Sequence, residues 1–581
     1  MKHTFIKIGL AIQILLVCAH LYNNRHGLPI PNKDPQSNEL LELMRTYEIE
    51  YSMGKKHTLD QTIWGYDLTW ASFVVFTILI SLLALRYASG KPAVGKFVAG
   101  SNMVLWLLCF IAAFIFWSLP QQIFFGLLSL IFLLSFLFDW LAPKPNNTRV
   151  CVVGGGISGL TAVYELGKKG YTSVTVLEKA NYLGGKCCTK MEDGHPFDLG
   201  GHEMLAGYTD VVAIGEELNA PTRRSIPPLV YDSAKKAYLN FSKSATASGK
   251  YSLLQVGWGA MRYLWLVGVT FRSYAQPSAS FKNLPHELTL NLDEWLNHRN
   301  LNSIRDILVF VIKVQGYGQF NTTPACYLLR FMGFRNWMSL LLSGMGIYEK
   351  WPRVFVHGLE NLCDRMAATS TDVRKNVSIA RIERQENVST GGVRIFIEGK
   401  AEPLIFDKLI ISTPVEGNSL NYLDLNDMER ELFGQFSSYK FYTTMCTTEG
   451  LAPGVVASNP MNNIQAGEYT GYLKDFTDEP YAIFFSLALA DSVTGDVVKE
   501  KIKEVLKGII PYKGVQPRVI EFINQRLWHY FPHVEQNVAA TFNTIEALQG
   551  KKNTFYASSA LTFECVGTSV AYSKRLIAEH F

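Results

Sequence analysis

Long, nearly uncharged apolar runs crowd the first 145 residues and become rare afterwards. Four stretches, Phe5–Leu21, Trp70–Leu85, Val98–Trp117 and Ile123–Leu141, are each about 16–20 residues long, close to the roughly 20 that a helix needs to cross a hydrocarbon core. They predict four transmembrane helices. Pro120 falls between the third and fourth, which predicts a tight helical hairpin. Trp70, Trp117 and Trp140 stand at the ends of these stretches, where indole prefers the headgroup zone. The first stretch carries Lys7 and Gln13 and admits a second reading as a secretory signal peptide. No small-x-small cleavage site follows it, and Val17 stands where lipidation of Cys18 would want a small residue, so a retained helix is expected.

Short connections set the orientation. Lys2 and Lys7 open the first stretch, Arg86, Lys91 and Lys96 fill the second connection, and Lys144 and Arg149 follow the fourth stretch. The third connection has no basic residue, and the long first one mixes acids with bases. Four spans with both ends cytoplasmic satisfy the positive-inside rule. Lys144-Pro145-Asn146-Asn147 is then a polar linker into a cytoplasmic portion.

From Arg149 the period shortens. Arg149–Val153 reads as an apolar strand and runs directly into Gly154-Gly155-Gly156-Ile157-Ser158-Gly159, followed by helical spacing at Leu160, Val163 and Leu166. A second strand, Val174–Leu177, ends at Glu178. Gly154 permits a tight turn, Gly156 lets backbone N–H groups approach a pyrophosphate, and Gly159 permits close helix–strand packing. The helix N-terminus faces the phosphate charge. Glu178, 19 residues beyond Gly159, is spaced to accept from ribose hydroxyls. Gly155, Ser158 and Lys179 complete the candidate set at this Rossmann-type turn.

Between Leu205 and Pro352 strand signals fade and aromatic residues accumulate. Val256–Phe271 is apolar around its circumference with one arginine, and Thr322–Tyr348 adds Leu328, Leu329, Phe331, Met332, Trp337, Met338 and Leu340–Leu342. This predicts a helical substrate domain. Its aromatic helices read either as a pocket or membrane-dipping mouth for an apolar substrate, or as ordinary core.

Composition narrows the classes. The chain has 581 residues, 48% hydrophobic and 18% charged, with a formal charge of +5. No Lys/Arg run resembles a nucleic-acid groove, so no nucleic-acid partner is expected. The nine cysteines, Cys18, Cys109, Cys151, Cys187, Cys188, Cys326, Cys363, Cys446 and Cys565, include no CxxC pair. Neither a metal site nor a disulfide framework is therefore expected, and a reducing compartment fits.

After Glu178 come Asn181–Lys186 (NYLGGK) and Phe197–Met204 (FDLGGHEM). Here the chain resembles the flavin amine oxidase and phytoene desaturase superfamily, whose Rossmann acid is followed by a Gly-Gly-Arg turn and an Asp-x-Gly-Gly turn. The resemblance implies non-covalent FAD, with Gly185 in the first turn and Lys186 at the basic position near ribose and phosphates. Gly200 and Gly201 would pass close to the isoalloxazine ring. Lysine for arginine keeps the charge and loses the bidentate fork.

The resemblance covers about 430 of the 581 residues. Val356–Leu362 looks like the family's glycine-containing helix start. Asn376–Ile382 resembles the strand that holds the adenine, with Ile379 at the contacting position, and Asp407–Pro414 resembles the return strand. The family's last motif carries an acid that is missing here. Tyr556-Ala557-Ser558-Ser559 and Phe563–Ser569 stand in its place, so Ser559 or Glu564 is the candidate substitute and Val566 opens the last helix. No Cys or His occupies 557–559, where a covalent flavin link would form.

Catalytic residues are harder to read, because hydride transfer to flavin N5 asks mainly for an apolar pocket and a positioned C–H bond. Lys440 is a candidate for the lysine that amine oxidases hold near N5, or a solvated surface lysine. His202 is a candidate for lining the flavin face, or a structural histidine. The Trp528–His533 cluster (WHYFPH) and the aromatic middle lean towards the polyunsaturated fatty-acid isomerase and carotenoid desaturase branches.

The fold expected is α/β: a Rossmann-type FAD-binding domain with a mixed sheet and helical substrate domain, preceded by four transmembrane helices. The divisions are 1–145 (membrane), 146–205 (FAD), 206–353 (helical substrate domain), 354–415 (FAD return), 416–540 (substrate-domain sheet) and 541–581 (C-terminal FAD segment). The function expected is an FAD-dependent oxidoreductase or redox-neutral isomerase of an apolar, lipid-like substrate at the cytoplasmic face of an inner or cytoplasmic membrane. The alternatives are an amine or porphyrinogen oxidase using oxygen and a non-catalytic flavin-binding scaffold or redox sensor.

Overall fold

In the computed structural model the chain divides into two units, Met1–Pro143 and Lys144–Phe581. The residues described are 4–24, 34–50, 56–87, 92–116, 119–138, 146–226, 228–232, 236–240, 250–345, 347, 352–370, 372–386, 391–458, 469–476 and 479–581.

In the N-terminal unit, helices occupy each of the four apolar stretches: Thr4–Asn24, Leu59–Tyr87, Pro92–Phe116 and Leu119–Phe138. Pro120 is the second residue of its helix, where a missing N–H costs nothing. A further helix, Pro35–Thr46, is capped by Asp34, whose carboxylate accepts from Gln36 N and Ser37 N. The four-span expectation is met only in part. Among the described residues one stretch, Leu59–Ala84, is long and apolar enough to cross a membrane, whereas Ile6–Cys18, Phe97–Ala112 and Gln122–Phe136 are apolar but shorter. Trp117, Trp140, Lys2, Lys91 and Lys144 lie outside the described residues.

The second unit is built on a parallel sheet in the order Asp372–Arg374, Val174–Leu177, Val150–Val153, Lys408–Ile411, Thr554–Tyr556. Its middle strand, Val150–Val153, is apolar at every position because both faces are covered. Val150, Val152 and Ile410 pack with Ala162, Val163, Leu166, Leu576 and Ile577 of the helices Ile157–Lys168 and Val566–His580. Cys151, Val153, Leu409 and Ile411 point the other way, into the cluster that contains Ile382, Val393 and Ile395. Those three belong to an antiparallel sheet of Ile379–Arg384, Val393–Ile397 and Leu404–Phe406.

A second large sheet runs in the order Arg518–His533, Ser437–Glu449, Tyr481–Ala488, Tyr469–Lys474, Gly454–Ser458, Pro228–Asp232, Ala237–Asn240. The last two strands come from the region expected to be helical. They are too short, and too mixed in polarity, to register as an alternating pattern.

The remaining middle is helical: Leu253–Trp265 continued by a π turn at Leu266–Thr270, then Leu292–His298, Arg305–Val314, Ala325–Phe331 and Phe334–Gly344. Much of its aromatic content is core. Tyr263, Trp295, Tyr327 and Trp337 are fully buried. Tyr263 Oη donates to Met332 O at 3.2 Å and Trp337 Nε1 to Ala260 O at 2.9 Å, so these two rings hide no unpaired donor. Arg330 is buried with no acid paired to it among the described residues. It donates to the carbonyls of Tyr274, Ala279 and Ser280 and to Thr562 Oγ1, and burial pulls its pKa down to about 10.

Candidate FAD-binding and active site

A cavity of about 500 Å³ opens beside the glycine turn. Gly154 sits at φ +105°, a conformation that L side chains rarely adopt, and its N–H donates to Leu177 O at 2.9 Å. A Cβ at Gly159 would stand 2.2 Å from Gly154 O, so only glycine lets the helix close onto the strand. Gly156 differs: a Cβ there meets nothing nearer than Gly184 O at 4.0 Å. It is the N-cap of Ile157–Lys168 and offers no side chain to the first N–H groups, which leaves that end open to an anion.

Glu178 faces the same cavity. Its Oε2 accepts from Gly155 N at 2.6 Å and its Oε1 from Ala180 N at 2.7 Å, so the carboxylate braces the turn as well as facing the cavity. The chain before Ile379 runs alongside, with Val377 N donating to Glu178 O at 2.9 Å. Ile379 itself, like Gly155, Gly159 and the exposed Lys179, is not among the cavity's lining residues.

At another part of the wall three residues singled out in the sequence come together. Lys186 Nζ is paired with Glu564 Oε1 and also donates to His529 O, and Ser559 Oγ donates to the same Glu564 oxygen at 3.2 Å. The second oxygen of Glu564 accepts from Phe531 N. Phe531 has φ +55°, rare for a bulky side chain, at the end of the strand Arg518–His533 where pairing with Ser437–Tyr439 slips register. Glu564 thus holds an irregular strand end against the cavity while binding Lys186. Val566 and Ser569, in the first turns of Val566–His580, line the wall beside it, and that helix also starts without a side-chain cap.

The Asp-x-Gly-Gly turn forms a third side. A Cβ at Gly200 would lie 1.8 Å from Lys186 O, and one at Gly201 would lie 2.9 Å from Val566 Cγ2, so both glycines allow backbone to pass where a side chain has no room. Leu199 O docks the turn on the large sheet by accepting from Thr443 Oγ1 at 2.7 Å and Trp528 Nε1 at 2.8 Å. His202 lines the cavity, with Nδ1 at 3.6 Å from Asp198 Oδ2, an ion-pair distance rather than a hydrogen bond. Burial favours its neutral form, but Asp198, Glu203 and Asp475 outweigh that and lift the pKa above its ordinary value. The neighbouring Glu203 accepts from Ser225 Oγ at 2.6 Å, and burial raises its pKa.

The rest of the lining is mostly apolar: Leu205, Tyr208, Tyr317, Phe331, Phe441, Leu473, Phe485 and Leu527. Tyr530 stacks between Tyr317 and Phe441, with centroids 5.4 and 5.1 Å away. Tyr208, Tyr317 and Phe441 went unnoticed in the sequence. Only the alternation along Ser437–Glu449 could have exposed Phe441. The same alternation removes Lys440 from the candidates that line the cavity. It points away from Phe441's side and pairs with Asp491 at 2.7 Å.

The residues present fit a dinucleotide flavin: an open, uncapped helix start at Gly156, a carboxylate at Glu178, a cation at Lys186 and a second uncapped helix start at Val566. Residues 157–441 match the family model described as flavin containing amine oxidoreductase. The FAD-dependent oxidoreductase oblC of Cochliobolus heterostrophus is 23% identical over 448 residues, spanning 71% of this chain and 86% of that one. Among solved structures, the CLA-producing fatty acid isomerase from P. acnes superposes with a TM-score of 0.65 at 23% identity, covering 75% of this chain and 99% of that one. The cyclohexylamine oxidase from Brevibacterium oxydans IH-35A gives 0.52 at 16% identity, covering 75% and 98%. Fold and site together define an enzyme that binds FAD non-covalently. The similarity to the flavin containing amine oxidoreductases lies within the unit Lys144–Phe581.

Proposed function

We propose that this enzyme transfers a hydride from an apolar, lipid-like substrate, either as a net oxidation or as a redox-neutral isomerisation. The observation that carries this reading is the lining beyond the glycine turns. Its aromatic and aliphatic side chains offer a hydrocarbon chain contact along its length. The carboxylates nearby are already engaged: Glu178 with backbone N–H groups, Glu564 with Lys186 and Phe531, Glu203 with Ser225. A cationic amine entering the cavity would therefore have to compete for a partner. When bound, FAD supplies the hydride acceptor. The chain's own residues hold the substrate, exclude water through Tyr317, Phe331, Phe441 and Tyr530, and keep a protonatable imidazole, His202, at the wall.

We further infer that the N-terminal unit is embedded in a membrane, with the FAD-binding unit on the cytoplasmic side. A polar cluster inside an otherwise apolar bundle, with large apolar side chains outside, supports this. Gln13, Ser81 and Asn102 are buried and joined, with Gln13 Nε2 donating to Asn102 Oδ1 at 3.0 Å and Asn102 Nδ2 to Ser81 Oγ at 3.1 Å. Leu15, Phe76, Leu79, Leu108 and Leu127 face outward. Polar groups joined inside and large apolar side chains outside suit helices surrounded by lipid.

Anaerobic mixing of the FAD-loaded, full-length enzyme with lipids tests the reaction. Polyunsaturated fatty acids or polyenes should bleach the flavin absorbance or return isomerised, with alkyl amines and porphyrinogens inert. Bleaching by an alkyl amine alone would overturn the apolar-substrate reading in favour of an amine oxidase.

A further inference from the structure

The helix Leu253–Trp265 and its π continuation are apolar on two sides. Val256, Ala260, Tyr263, Leu264 and Val267 are buried against the helical layer. The opposite side presents Leu254 (86% exposed), Trp258 (72%), Met261, Trp265 and Val269, spaced so that they form one stripe. Phe334 extends it: a Cβ on Gly268 would lie 2.7 Å from its ring, and Phe334 is itself exposed. Single exposed apolar residues need no explanation, but a continuous stripe with two tryptophans marks a contact surface.

The charge around the stripe selects the partner. From 233 to 286 the sequence holds seven Lys or Arg and no Asp or Glu, a balance of +7 over 54 residues in a chain whose total is +5. Arg262, Arg272, Lys282 and Arg335 are exposed on the described part of this region. Between these windows lie four acids, of which Glu287 and Asp293 are paired with Arg299 and Arg305, and from 307 to 348 there is again no acid. A protein partner would meet an apolar stripe with a rim of mixed sign, whereas a bilayer with anionic headgroups asks for exposed tryptophan and aliphatic side chains bordered mainly by cations. We propose that this face of the FAD-binding unit docks into the headgroup region of an anionic membrane, with the stripe in the acyl boundary and Arg262 and Arg272 on lipid phosphates. The same helix is one layer from the cavity, because Tyr263 Oη donates to Met332 O, next to the lining residue Phe331.

The docking rests on the surface alone and not on the reaction, so a failure to bleach flavin leaves it standing. The test uses the full-length chain with Cys18→Ser as the labelling blank, reconstituted in nanodiscs. An environment-sensitive fluorophore is attached at Leu254→Cys, at Met261→Cys and, as a reference, at Glu504→Cys. Quenchers carried on lipid tails should reach positions 254 and 261 and spare 504, while aqueous iodide should do the reverse. Phosphatidylglycerol discs should give at least about threefold more lipid quenching than phosphatidylcholine discs at low salt, an excess that Arg262→Gln with Arg272→Gln removes. Iodide access at 254 without lipid quenching overturns the proposal. So does protection from both quenchers, which would mean that another protein surface covers the stripe. Equal quenching in the two lipids overturns the anionic specificity.

Discussion

At Gly156 the proposed cofactor contact can be tested apart from folding. Its φ of −76° suits any residue, and an added methyl meets only open space. Gly156→Ala should therefore fold with an unchanged apo melting temperature yet bind FAD at least about tenfold more weakly, because the methyl occupies the approach to the helix N-terminus. At Gly159 the same methyl strikes Gly154 O, so both properties should fall together. Glu178 lies between these cases. Glu178→Ala removes the acceptor for Gly155 N and, on the proposed cofactor site, a ribose partner, and should cost FAD affinity about 10- to 100-fold with some loosening of the turn. Glu178→Gln keeps one oxygen for the turn, and should recover melting more than affinity. Fluorescence titration with FAD beside thermal melts reads both. An unchanged dissociation constant in Gly156→Ala would remove this turn from the cofactor site.

The elements show why part of the site was legible and part was not. The glycines, Glu178, Lys186, Ser559 and Glu564 carry their chemistry in short local patterns, and a turn or a helix start constrains residue type strongly. Phe441 and Lys440 are neighbours on one strand, and only its pairing with Arg518–His533 and Tyr481–Ala488 decides which of them meets the cavity. Tyr208 and Tyr317 arrive from separate elements with no shared spacing. The strand Lys408–Ile411 supplies a prediction of its own. Asp407, just before it, accepts from Arg149 N, the Arg149 guanidinium and Gly391 N, and the Arg149 hydrogen bond is the main cause that pulls its pKa down to about 2. A carboxylate with a depressed folded pKa adds stability above its ordinary value and loses it as pH falls through the folded one. Wild type should therefore give up between pH about 4 and 2 a contribution that Asp407→Asn lacks at every pH. Melting curves across that range should converge at the acid end. Parallel curves would refute the assignment.

For the molecule as a whole, the proposed orientation makes a directional claim. A cysteine placed at Glu48 should react with an impermeant maleimide from outside intact cells, and one at Asn147 should react only after the membrane is opened. The opposite pattern would reverse the side on which FAD binds. The order of strands in the parallel sheet has a further consequence, and it concerns synthesis. A ribosome releases Val150–Val153 early, but the outer strand Thr554–Tyr556 and the wall residues Glu564, Val566 and Ser569 emerge several hundred residues later. The glycine turn therefore waits, with its bracing glutamate but without the strand and helix that close the chamber. On the proposed cofactor site, FAD should load only after Ser569 has emerged, and the stretch from Val150 to Ser569 should be synthesised without help from the cofactor.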